Sequence, residues 1–181
     1  MYEKCIRLLE MRGIELEKGL TVDELLQIEE IYSIQFPKSF KEFLNAVLPI
    51  SKGFYNWRNL TEDNIEFIRQ TIKRPIEDVY NMAEEVYWCY NWGEEPKEEI
   101  IIAKEVRERL NKAPKLLPIY GHRYMPIILD DDPPIISVHN TDIIYYGINL
   151  EDYFEVEFGK KKQDTIDFHS INPIPFWSDI M

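Results

Sequence analysis

Apolar side chains return at helical intervals through the first two thirds of the chain and in short strand-like runs through the last third. That change of period predicts helices first and a sheet second. Thr21 and Glu24 have capping-box spacing, after which Leu25, Ile28, Ile31 and Tyr32 share one helical stripe. Pro37 suits the first turn of a second helix. Phe40, Phe43, Leu44 and Val47 follow at i, i+3, i+4 and i+7, and Pro49 is expected to stop it. Thr61 is placed to cap a third helix, with Glu62 and Asp63 favourable against its dipole. Pro75 is expected to open a fourth, with Val79, Met82, Ala83 and Val86 inward. Pro96 is expected to open a fifth, burying Ala103, Val106 and Leu110.

After Pro114 the texture changes. Runs suited to strands occupy Leu116–Tyr120, Met125–Leu129, Ile135–His139 and Ile143–Tyr146. Between them lie Gly121-His122-Arg123, Asp130 to Pro134 and Asn140-Thr141-Asp142, all rich in turn formers. These gaps are too short for crossover helices, so an antiparallel meander is expected. Gly147 should end the last strand, and Asn149 should cap a closing helix whose apolar side is Leu150, Tyr153, Phe154 and Phe158. The pattern predicts an α+β fold, a mostly antiparallel central sheet flanked by helices. No repeat, low-complexity tract or Gly/Ser linker divides the chain, so residues 1–181 are read as a single domain.

Composition supports a packed globule: of 181 residues, 45% are hydrophobic and 13% aromatic. No apolar run approaches the ~20 residues that span a bilayer, and the amino terminus lacks a basic region followed by an apolar core. A cytoplasmic protein without a membrane partner is expected. Cys5 and Cys89 then read as two free thiols. The formal net charge of −12 disfavours nucleic acid as a partner and would steer a basic protein towards the surface.

The candidate chemistry is thin. His122, His139 and His169 lack the spacing of a zinc site. Asp130-Asp131-Asp132 runs into Pro133-Pro134 rather than the alternating ligands and glycine of a calcium loop, and reads as a solvated turn. No phosphate loop, nucleophile elbow or Cys–His pairing stands out, so no catalytic residue, metal or cofactor is expected. The aromatic groups are more suggestive. Phe54, Tyr55 and Trp57 follow the second helix, Tyr87, Trp88, Tyr90 and Trp92 crowd together, and Tyr120, Tyr124, Tyr145 and Tyr146 flank the strands. Such side chains serve recognition surfaces and cores alike.

The stretch Ile28-Glu29-Glu30-Ile31-Tyr32-Ser33-Ile34-Gln35-Phe36-Pro37-Lys38-Ser39-Phe40-Lys41-Glu42-Phe43-Leu44 resembles the amino-terminal signature of the SUKH superfamily, the Smi/Knr-type domains. Leu117 to Pro126 is similar to the central strand pair of a bacterial subgroup. Ile136 to Gly147, followed by Asn149-Leu150-Glu151-Asp152-Tyr153-Phe154, is similar to its last strand and closing helix. Gly53 to Trp57, Trp92-Gly93 and Phe176-Trp177-Ser178-Asp179 also look like that subgroup. The chain departs from the pattern at Asn45-Ala46-Val47-Leu48-Pro49, where many members have Asn-Gly, and carries a helical insertion around 56–114. The resemblance implies a binding domain rather than an enzyme, in the manner of immunity proteins that neutralise toxins, often nucleases. A regulatory or scaffold domain without a toxin partner is the alternative, and a hydrolase with divergent motifs is the third. For a basic toxin the candidate contacts are Trp57, Trp88, Trp92, Tyr124, Asp130, Asp131 and Asp132, chosen for expected exposure and chemistry.

Overall fold

A computed structural model describes residues 2–181. The elements in order are α1 (Glu3–Met11), β1 (Leu16–Lys18), α2 (Val22–Tyr32), α3 (Lys38–Ala46), β2 (Val47–Pro49), α4 (Glu62–Asn81) and α5 (Glu99–Leu110). They continue as β3 (Leu116–Tyr120), β4 (Arg123–Pro126), β5 (Ile135–His139), β6 (Asp142–Gly147) and α6 (Leu150–Glu157). The last four strands form the expected antiparallel meander, β3-β4-β5-β6, and β1 pairs with β2 in a separate antiparallel ribbon. The fold is α+β.

Strand alternation divides the interior in two. Leu117, Ile119, Met125 and Ile135 belong to one apolar cluster, which α1, α2, α3 and α6 complete through Leu9, Ile28, Phe43 and Phe154. Leu116, Tyr124, Ile136, Val138 and Ile143 belong to the other, completed by Val106 and Leu110 of α5 and by Trp177 and Ile180 of the carboxy-terminal segment. Helix α4 serves both: Ile68 and Ile72 enter the first cluster, Val79 the second. It does so by passing along β3, against which it packs.

The local signals work as expected at several ends. Thr21 and Glu24 form a reciprocal capping box on α2, and Asn149 accepts from the Asp152 N–H at the start of α6. Gly147 ends β6 where a β-carbon would lie 2.6 Å from the Tyr153 backbone nitrogen, so only glycine admits α6 so close.

Other expectations need correction. Pro75 does not open a helix. It sits buried inside α4, which begins at Glu62, just after Thr61, and runs 20 residues. An interior proline removes one ladder bond and costs roughly 3 kcal/mol. The flanking burial of Ile68, Ile72 and Val79 holds the helix together across it. Val86 accordingly lies beyond the helix, and so do Met82 and Ala83. Helix α3 ends at Ala46 rather than Pro49, because Val47 leaves it to pair with Lys18 of β1. β4 starts at Arg123, two residues early, since Gly121 at φ +55° makes the β3–β4 turn tighter than expected. It ends at Pro126 because the chain then departs towards two helix ends. Asp142 likewise belongs to β6. No helix among the described residues is long and apolar enough to cross a membrane.

Candidate functional site

The segment between α4 and α5 presents the most distinctive surface. After Asn81 the chain makes a 3-10 turn at Ala83–Glu85, buries Val86 in the second cluster, and makes another at Tyr90–Trp92. Trp88 and Trp92 meet edge to face with centroids 5.3 Å apart. Arg109 of α5 lies over both rings, 5.7 and 4.9 Å from their centroids, and pairs with Glu105 at 2.6 Å. The Trp88 indole N–H donates to the Gly93 carbonyl, and that of Trp92 to Asp179. Trp92 also stacks on Phe176. Phe176 sits at φ +68°, ψ −55°, and the Trp177 N–H reaches back to the Pro175 carbonyl at 2.9 Å, closing a rare, strained γ-turn. The carboxy-terminal segment is thus the anvil on which the loop is shaped.

With both indoles turned inward, the tyrosines beside them face out: Tyr87 is 62% exposed and Tyr90 90%. Residues 84–99 bring Glu84, Glu85, Glu94, Glu95, Glu98 and Glu99, all exposed, with Lys97 the one cation of that segment. Residues 84–99 therefore carry 1 − 6 = −5. Two rigid aromatic rings in an acidic field can stack on and hydrogen-bond to a cationic partner.

The candidate contacts sort differently from expectation. Trp88 and Trp92 belong to this site, but as half-buried supports rather than outward anchors. Trp57 and Tyr124 cannot contact a partner, each being only 2% exposed. Trp57 receives Tyr32 and Phe36 edge to face in the first cluster, and Tyr124 points into the second. Burial pushes the Tyr124 phenol well above its ordinary pKa. The aspartate run is a structural joint rather than a free acidic patch. The Asp131 carbonyl accepts from Ser39 N–H at the start of α3, and its carboxylate pairs with Lys38 at 3.2 Å. Asp132 accepts from Leu150 N–H at the start of α6, and Asp130 accepts from Asp132 N–H. Two helix amino termini draw the run in through their unpaired N–H groups and their dipoles.

Sequence reasoning missed Tyr87 and Tyr90 as the exposed members of their cluster, and the six glutamates around them. The signal was present: carboxylates crowd both sides of Tyr87 to Trp92 with no apolar period to bury them. His122, in the β3–β4 turn, and His139, at the end of β5, have ring centroids 6.1 Å apart. Burial, Arg123 and His139 hold the His122 pKa below its usual value. No group of three metal-ligating side chains occurs among the described residues. Cys5 and Cys89 are free, and burial pushes the Cys5 thiol up to about 12, which suppresses its thiolate. No protein-family model, curated protein or solved structure matches the chain.

Proposed function

We propose that the chain is a non-catalytic protein-binding domain that recognises a basic protein through Tyr87, Tyr90 and the surrounding glutamates, in the manner of an immunity protein neutralising a toxin. The supporting observation is the pairing of two outward tyrosines with a local charge of −5 on a loop fixed by Trp88, Trp92, Arg109 and Asp179. A nuclease presents cationic side chains to its substrate's phosphates, and the glutamates offer those cations a substitute. The motif resemblance to SUKH domains points the same way. The cytoplasm is where such a protein would meet a toxin.

The test is direct. The protein is co-expressed with the product of the gene adjoining its own, cell survival is scored, and affinity for that product is measured by calorimetry. Rescue by the native protein is expected, with its loss in the double variant Tyr87→Ser, Tyr90→Ser. Each tyrosine is expected to contribute about 2 kcal/mol to binding. Unfolding free energy should stay within about 0.5 kcal/mol of the native value, as both rings are exposed. Binding that survives the double variant and is insensitive to salt would rule this surface out.

A further inference from the structure

A second surface has the opposite electrostatic character. Where the carboxy-terminal end of α2 faces the middle of α4, a groove of about 480 Å³ opens, a volume within the usual range for ligand sites. Its floor is apolar, formed by Ile31, Ile72 and Ile76. Its rim carries Arg69, Lys73 and Lys115 against a single carboxylate, Glu77, on a protein whose net charge is −12.

Two of these cations are half-committed. Arg69 donates to the Ile31 carbonyl at 2.9 Å and Lys115 to that of Ser33 at 3.4 Å, capping the end of α2 and leaving their other N–H groups free to bond elsewhere. Lys73 is exposed and enters no ion pair among the described residues. Tyr32 also lines the groove. It is only 7% exposed, and its hydroxyl is buried without a hydrogen-bond partner, an arrangement that is costly unless something supplies one. Burial raises its pKa, and the nearby Arg69 charge opposes that rise.

The surroundings define what fits. Past Ser33 and Lys115 the groove continues over Ile34, Gln35 and Ile127 for about 410 Å³ more, with the side-chain amide of Gln35 able to meet a peptide backbone. In the other direction, past Ile31 and Arg69, the valley turns acidic at Glu62, Asp63 and Glu66. An extended chain entering along Ile127 meets three cations and then a wall of carboxylates, so a negative group is favoured at the cations and the chain stops there.

We infer that this groove captures the carboxy terminus of a polypeptide with apolar final residues. The terminal carboxylate sits among Arg69, Lys73 and Lys115, and the last side chains lie on Ile31, Ile72 and Ile76. It does not involve Tyr87 or Tyr90 and stands or falls apart from them.

The probe is a fluorescent hexapeptide, Ser-Gly-Ser-Leu-Val-Ile, with a free carboxylate, compared with its carboxy-terminal amide by anisotropy on the full chain. The free acid is expected to bind at least about tenfold more tightly than the amide, and Lys73→Glu to weaken it by a similar factor. Equal binding of acid and amide, or no effect of Lys73→Glu, would overturn the proposal. Displacement of the peptide by decanoate at concentrations below the peptide's own dissociation constant would also overturn it, because the site would then belong to a free fatty acid.

Discussion

Arg58 lies in a connecting segment, yet its guanidinium reaches four oxygens: Glu24 Oε1, Glu17 Oε2 and the carbonyls of Lys18 and Gly19. Its rigid fork of donors lets one side chain bind β1, α2 and the loop before α4 together. The Arg58 hydrogen bond, seconded by the Thr21 backbone, holds the Glu24 carboxyl at about 2 instead of the ordinary 4.5. A carboxylate with a depressed folded pKa stabilises fully above its ordinary value, and that stability is lost as pH falls through the folded one. Arg58→Ala is expected to cost about 2 kcal/mol at neutral pH, the pair being roughly one-third exposed and partly screened. The difference from the native protein should narrow between about pH 4.5 and 2, as urea unfolding at several pH values would show. Nothing in the sequence marks Arg58, because its partners lie more than 30 residues away in the chain. The Thr21–Glu24 box was legible because its chemistry is confined to four consecutive residues.

At the scale of elements, the same contrast separates success from failure. The meander was legible because turn formers recur between short apolar runs, and α6 because its cap and apolar face are local. Pro75 misled because proline is favoured in a helix's first turn and unfavourable in its interior, and nothing local says which applies. The missing clue was a terminator: no glycine separates Thr61 from Pro75. Replacing Pro75 with Ala restores a ladder bond to Thr71 and removes the ring's clash, a gain of up to about 3 kcal/mol, while losing buried ring carbons worth about 1.5 kcal/mol. Pro75→Ala should therefore raise stability by roughly 1 kcal/mol, read as a higher urea midpoint with unchanged slope. The candidate site was half legible. Its aromatic cluster was visible, but which rings face outward depends on Asp179 and Phe176, far along the chain.

Across the whole molecule, the two apolar clusters share one sheet and one long helix. Ile68 and Val79 stand 11 positions apart on α4 and belong to different clusters, so neither cluster can melt without fraying the helix that completes the other. Ile68→Ala should lower stability by about 2–5 kcal/mol and Val79→Ala by somewhat less. Both should shift a single transition, with tryptophan fluorescence and far-ultraviolet dichroism remaining superimposable. Separated transitions would show that the halves unfold independently.

The placement of α4 also bears on how copies of the protein can meet. A sheet edge is a template for another strand, and filaments arise when one copy's edge docks on a different edge of the next. In the four-stranded sheet, α4 overlies β3, and Phe54 bridges to Tyr120 at its end. The β6 edge is screened only in part, by Gln163 donating to the Tyr145 carbonyl and by Phe168 against the Tyr145 ring. A strand added to this sheet would therefore meet fewer obstacles at β6 than at β3, where α4 packs and Phe54 already pairs with Tyr120.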